Sequence, residues 1–182
     1  MNDASVFEEL PGDLMIWVLI VSELLVFGAG LAAFLAVRVT DPEGFAAAQD
    51  ALYRTGAGLN TVVLVTSGAL AAWALRLREG ARRGAARCAL IAAAALGVVF
   101  LIVKGVEYAG KAGDGIAWDT HPFFTFYYLL TGFHAAHVVA GVVVLLLVAW
   151  QDAPRNIEAG AAFWHMVDLV WVLLFPVIYL LR

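Results

Sequence analysis

Five apolar stretches, each long enough to cross a lipid bilayer, constrain this chain more than any other feature. A membrane-spanning helix needs about 20 mainly apolar residues, and the stretches cover roughly residues 14–37, 57–75, 86–108, 123–150 and 161–181. They are too long for membrane strands and lack the alternating pattern of such strands. We therefore predict an all-α fold, an integral membrane bundle of five transmembrane helices in a single domain over residues 1–182.

The composition agrees with a membrane protein and excludes several kinds of site. The chain is 63% hydrophobic and 14% charged, whereas a soluble domain has about 25% charged residues. Its only cysteine, Cys88, excludes an internal disulfide, a two-cysteine copper site and a Cys-x-x-Cys-His haem attachment. The acidic start of the chain lacks the basic residues of a secretory signal. We expect the first helix to be retained, and we expect no nucleic-acid partner.

One loop predicts the topology. Residues 76–87 contain five arginines, which are opposed only by Glu79. Short loops rich in arginine stay in the cytoplasm, so we predict a cytoplasmic N-terminus and a C-terminus outside. The chain is then a multi-pass protein of a bacterial-type inner cell membrane.

Ionisable residues lie inside the predicted spans, where each charge costs about 2.5–3.5 kcal/mol on insertion scales. A rise of about 1.5 Å per residue places five of them at a similar depth in the inner half of the membrane. Within the helices, two pairs are three residues apart and share a face. The predicted buried polar layer consists of Glu23, His134, His137, His165 and Asp168.

Three interpretations of this layer remain open at the level of the sequence. It could be a polar network that satisfies itself and sets the helix register. It could contact another membrane protein or influence the proton path of a neighbour. It could also bind a metal or a haem, because histidine and carboxylate are metal-ligand types, although the His-x-x-His spacing is common.

A second polar pair lies near the outer end of the third predicted span. Lys104 and Glu107 are three residues apart, so they can form an ion pair on one helix face. Because lysine can extend its charge to the interface, we predict a pair at the membrane surface. Tyr179, near the end of the last span, is interpreted as part of an interfacial aromatic belt.

Five motifs, in order along the chain, resemble the subunit III family of haem–copper respiratory oxidases. They cover nearly all of the membrane part, from residue 14 to residue 181. The last two motifs are the most specific. The motifs are Ser22–Phe27 with Phe34, Leu59–Thr61 with Ser67, Glu107-Tyr108, Thr131–Val138 with Gly141, and Trp164–Trp171.

The resemblance implies a subunit without catalytic residues or redox centres of its own, within an oxidoreductase complex. Such a subunit packs against a haem–copper catalytic subunit, supports its stability and proton uptake, and has phospholipid as a candidate ligand. We hypothesise that Glu23, His134 and Asp168 form one polar core that shapes the surface offered to the catalytic subunit. The two extra N-terminal helices of the seven-helix members have no counterpart here, which puts the lipid-holding cleft of those members in doubt.

The five-helix pattern resembles subunit III of quinol oxidases and the E accessory protein of nitric oxide reductase gene sets. Lys104, where many oxidase members have glutamine, and Tyr127-Tyr128 favour the nitric oxide reductase-associated branch. Two other functions remain as alternatives: an independent haem- or metal-binding electron carrier, and a small proton-coupled transporter.

Overall fold

The computed structural model describes residues 14–181, which are almost entirely helical. Five helices in this part of the chain are long and apolar enough to cross a membrane, so the predicted all-α, five-span fold is confirmed. The side of the membrane on which each end lies stays a prediction. The elements are α1 (Leu14–Arg38), α2 (Pro42–Asp50), α3 (Arg54–Glu79), α4 (Arg83–Gly113), α5 (Pro122–Gln151), α6 (Pro154–Phe175) and a π-helical turn (Pro176–Leu180).

The last span starts earlier than the apolar pattern predicts. Helix α6 begins at Pro154 rather than near residue 161, because proline is well suited to the first helical position, where no backbone N–H is needed. The polar residues Arg155, Asn156 and Glu158 occupy its first turns. Asp152 adopts a left-handed conformation with φ of 53°, which lets the chain reverse tightly between α5 and α6.

Helix α2 is a short surface helix within a segment that the sequence presents only as a loop. Asp41 caps it by accepting a hydrogen bond from the Gly44 N–H at 3.1 Å, and Pro42 opens its first turn. Its buried residues tie it to the bundle: Phe45 packs edge-on against Phe34, and Gln49 Nε2 donates to the Ile178 carbonyl at 2.8 Å. Helix α2 therefore covers one end of the bundle, which we call the α2 end.

The opposite end carries the connection between α3 and α4. Its five arginines lie in the last turn of α3, in the loop and in the first turns of α4, and we call it the arginine end. Arg78 lies 2.9 Å from the Asp152 carboxylate and also donates to the Asp152 carbonyl at 3.0 Å. This pairing joins the last turn of α3 to the α5–α6 loop.

The long helices divide into a tightly packed group and a peripheral helix. Helices α3, α4, α5 and α6 pack around one interior, in which α3 neighbours α4 and α6, and α5 neighbours the same two helices. Helix α1 packs on the outside, against α5 and α6. It buries only Ile20, Phe27 and Phe34, which are seven residues apart and form a single stripe. Most of α1 is thus left open to lipid or to another protein.

Trp164 of α6 is fully buried where the four packed helices meet. Its ring lies against Gly97 of α4 and Gly141 of α5, where an added Cβ would come within 2.6 Å and 2.4 Å of ring carbons. Its Nε1 donates to the Ser67 hydroxyl of α3 at 3.0 Å, and Ser67 in turn donates to the Ala93 carbonyl at 2.7 Å. One side chain therefore connects all four helices of the interior.

We predict that Gly97→Ala destabilises the bundle. The added methyl group would overlap the Trp164 ring, and overpacking of this kind costs about 1–3 kcal/mol. Gly105→Ala on the same helix is the matched control, because no atom of another helix lies within 4 Å of its added Cβ. The control should be neutral or gain up to about 1 kcal/mol from helix propensity. Unfolding by sodium dodecyl sulfate, followed by circular dichroism, measures both variants, and equal stabilities would contradict the assigned role of Gly97.

Candidate functional site

The residues predicted as a buried polar layer lie in separate contacts rather than in one network, and His165 is exposed rather than buried. The first joins α1 to α5: His137 Nε2 lies 3.1 Å from Glu23 Oε2. The Nδ1 of His137 lies 2.9 Å from the Phe133 carbonyl, and because a carbonyl only accepts, Nδ1 must carry a hydrogen. Glu23 Oε2 has no hydrogen-bond partner within residues 14–181, so this contact is a close approach of a carboxylate and an imidazole without a formed hydrogen bond.

The second contact lies within α6. His165 Nδ1 lies 3.9 Å from Asp168 Oδ2, and the Asp168 carboxylate rests against Gly68 of α3, where a Cβ would come within 2.0 Å of it. Asp168 is buried, and its Oδ1 has no hydrogen-bond partner among the described residues. The His165 side chain, in contrast, is 47% exposed. His165 therefore lies on the outside of the bundle, and Asp168 lies between α3 and α6.

His134 belongs to neither contact. It is fully buried, its ring stacks on Trp171 with centroids 5.3 Å apart, and Phe100 meets it edge-on at 5.5 Å. Neither ring nitrogen has a hydrogen-bond partner in the described part of the chain. The hypothesis that Glu23, His134 and Asp168 form one polar core is therefore wrong. Residues three apart differ by about 60° around a helix, which turns His134 toward aromatic rings and His137 toward α1.

Lys104 and Glu107 form the predicted ion pair, with 2.9 Å between Nζ and Oε2. Their predicted surface position is wrong, because the side chains are 2% and 8% exposed. The Lys104 ammonium also donates to the hydroxyls of Tyr127 at 3.2 Å and Tyr179 at 2.8 Å, and the Tyr179 hydroxyl lies 3.0 Å from Glu107 Oε1. These partners supply the contacts that a buried charge requires.

Aromatic rings complete the surroundings of this ammonium, which lies 4.8–5.6 Å from the ring centroids of four residues. A cation near the face of such rings is stabilised by their quadrupole. We call this cluster the lysine cage. Its members are Lys104, Glu107, Tyr108, Tyr127, Trp171 and Tyr179.

Tyr179 is the member of the lysine cage whose position was predicted incorrectly from the sequence. It is fully buried rather than part of an interfacial belt. The π-helical turn Pro176–Leu180, in which it lies, follows directly from α6. The only sequence signal for the cage is a lysine inside an apolar span, because a buried ammonium requires polar partners. The sequence pattern does not indicate which helix supplies these partners.

The imidazoles of the layer lie in different surroundings. His165 opens to a groove on the outside of the bundle, whereas His134 is enclosed by Phe27, Phe100 and Trp171. Within residues 14–181, no group of three or more His, Cys, Asp or Glu side chains is placed to hold a metal ion. The contacts that are present are typical of polar groups that join helices.

We predict that Lys104→Met is strongly destabilising, by about 3–5 kcal/mol, because it leaves the buried Glu107 carboxylate without its cation. The double variant Lys104→Met, Glu107→Leu removes both charges and should recover most of this loss. Unfolding by sodium dodecyl sulfate is measured for Lys104→Met, for Glu107→Leu and for the double variant, which completes a double-mutant cycle. Additive losses would show that the two charges are not coupled.

The comparisons with known proteins match these observations to one family. The family model described as cytochrome c oxidase subunit III matches residues 13–182. The matched region contains the Glu23–His137 contact, the His165–Asp168 pair and the whole lysine cage.

Curated relatives carry the same description. Cytochrome c oxidase subunit 3 of Pyricularia grisea is 36% identical over 132 residues, which are 66% of this chain and 47% of that protein. The probable subunit 3 of Rickettsia conorii is 31% identical over 135 residues, 67% of this chain and 46% of that protein. Subunit 3 of Thermostichus vulcanus is 31% identical over 178 residues, 90% of this chain and 84% of that protein.

The chain spans about half the length of the first of these relatives and most of the length of the Thermostichus vulcanus protein. The match to the family model nevertheless extends over almost the entire chain. The chain therefore belongs to the cytochrome c oxidase subunit III family.

Proposed function

We propose that this chain is a non-catalytic subunit of a haem–copper respiratory complex in a bacterial-type inner membrane. In this role it packs against the catalytic subunit and supports its assembly, its stability and its uptake of protons from the cytoplasmic side. The proposed orientation has the arginine end in the cytoplasm.

The Glu23–His137 contact is the observation that supports the proposed role in proton uptake. A carboxylate oxygen and an imidazole nitrogen, two groups that exchange protons, lie 3.1 Å apart there. The two side chains are 21% and 15% exposed, so they are neither sealed in the interior nor open to bulk water. A pair of this kind at membrane depth can pass a proton to a neighbouring protein or take one from it.

Phospholipid is the ligand that we propose for the groove beside α1. This groove has a volume of about 440 Å³ and lies between α1, α5 and α6. Apolar side chains such as Ile16, Leu147 and Phe163 line its length, and the amides of Gln151 and Asn156 lie at the arginine end. Apolar walls with polar groups at one end suit an acyl chain and its headgroup.

A nitric oxide reductase complex is the second candidate for the partner complex. The lysine cage favours it, because Lys104 and Tyr127 are the residues by which the sequence resembles the nitric oxide reductase-associated branch. In the structure, the Lys104 ammonium donates to the Tyr127 hydroxyl at 3.2 Å. The two residues that favour this branch are therefore in direct contact. The identity of the catalytic subunit distinguishes the two candidates.

We predict that affinity-tagged chain, extracted from its native membrane in mild detergent, brings with it a haem–copper catalytic subunit and the absorption spectrum of its haems. Mass spectrometry identifies that subunit, consumption of oxygen or of nitric oxide assigns the complex, and lipid extraction tests the groove beside α1. A colourless single chain would contradict the proposal. A single chain with a Soret band would replace it by the haem-carrier alternative.

We predict that Glu23→Gln leaves the complex assembled but lowers its turnover and speeds its inactivation during turnover severalfold. The amide keeps the size of the side chain but cannot exchange a proton with His137. Glu43→Gln, on the exposed surface of α2, is the matched control and should behave as the unaltered complex. Unchanged turnover and inactivation in Glu23→Gln would remove the proton role while leaving the structural role intact.

A further inference from the structure

We propose that the groove between α3 and α6 at the arginine end receives a transmembrane helix of the catalytic subunit. We call it the α3–α6 groove; its volume is about 380 Å³ and its lining includes Ala72, Arg76, Glu79, Glu158, Ala162 and His165. The inference rests on the proposed function and adds to it the face of this chain that makes the contact.

The exposure of His165 is the first argument. Its side chain is 47% exposed, whereas the side chains of the Glu23–His137 contact and of the Lys104–Glu107 pair are 21% exposed or less. By the rise of a helix, His165 lies about 16 Å beyond the start of α6. Ionisable groups at membrane depth normally face a bundle interior or water, because lipid cannot hydrogen-bond to them. A side chain left open to lipid at this position indicates a face that another protein covers.

The second argument is the hydrogen-bonding capacity of His165. Its Nδ1 lies 3.9 Å from Asp168 Oδ2, which is beyond hydrogen-bond distance, and the side chain lines the groove. A neutral imidazole can both donate and accept a hydrogen bond. The partner helix is therefore expected to present a polar side chain, such as a hydroxyl, an amide or a guanidinium, opposite His165.

The third argument is shape. Three of the residues that line the α3–α6 groove are alanines, Ala72 of α3 and Ala161 and Ala162 of α6. Small side chains allow helix backbones to approach closely, which is how helices associate in a membrane without a hydrophobic driving force. The groove thus accepts a helix that packs at short distance and not only loosely held lipid tails.

Charge at the arginine end favours a protein over an anionic lipid. The lining of the groove there contains one cation, Arg76, and two carboxylates, those of Glu79 and Glu158. A lipid phosphate would meet more negative than positive charge. A partner helix that ends in lysine or arginine at the membrane surface would complement the excess negative charge.

Site-specific photo-crosslinking in the assembled complex tests this assignment. The photoreactive amino acid benzoylphenylalanine replaces Leu75, which lines the groove. In separate chains it replaces Val18 of α1 or Leu146 of α5, which are exposed near the same end of the bundle but on helices outside the groove. We expect a crosslink to the catalytic subunit from position 75 and none from positions 18 and 146.

Each outcome bears on a different part of the proposal. Crosslinks to the catalytic subunit from position 18 or 146 but not from 75 would overturn the groove while upholding the proposed function. Crosslinks to lipid alone from position 75, in complexes that contain the catalytic subunit, would also overturn it. Complete absence of a catalytic subunit from all samples would contradict the proposed function itself.

A pair of substitutions at His165 provides a second measurement. His165→Leu removes the polar contact with the partner and should reduce the amount of catalytic subunit retained through detergent washing by up to about tenfold. His165→Gln keeps a hydrogen-bonding side chain and should retain the subunit nearly as well as the unaltered chain. Equal retention by both variants would contradict a polar contact at this position.

Discussion

The packing of Trp164 against two glycines is the interaction on which the rest of the structure depends. The largest side chain type occupies the point where α3, α4, α5 and α6 converge, and it fits only because Gly97 and Gly141 carry no Cβ there. Lipid provides no hydrophobic force between helices, so close packing and interhelical hydrogen bonds must hold the bundle together. Trp164 contributes both, through its ring and through its bond to Ser67.

This packing sets the rotation of each helix and thereby decides the surroundings of every buried polar group. Lys104 turns inward and finds Glu107 and two tyrosine hydroxyls near the α2 end. His134 also turns inward but meets aromatic rings. His165 turns outward, to the α3–α6 groove. Groups of the same chemical type therefore acquire different roles: one sealed ion pair, one imidazole packed as an aromatic ring, and one imidazole available to a partner.

The loosely packed α1 helix has a distinct part in this arrangement. Its single buried stripe holds it against α5 and α6, and the same side of α1 carries Glu23 to His137. The proposed proton pair thus lies at the edge of the bundle, whereas the proposed docking face lies across α6, between α6 and α3. The proposed subunit can in this way offer its catalytic partner both a docking surface and a carboxylate–imidazole pair.

The sequence by itself determined the number of spans, the all-helical class and the family. The lengths of apolar stretches and the short motifs can be recognised without knowing how each helix is rotated in the bundle. It also identified the pairing of Lys104 with Glu107 and of His165 with Asp168, since residues three apart share a helix face. Only the tertiary structure decided that Glu23 meets His137 rather than His134, that Tyr179 is buried beside Lys104, and that α6 starts at Pro154. Contacts between helices depend on rotation and depth, which are set by side-chain packing at places such as Gly97 and Trp164, and no local pattern records them.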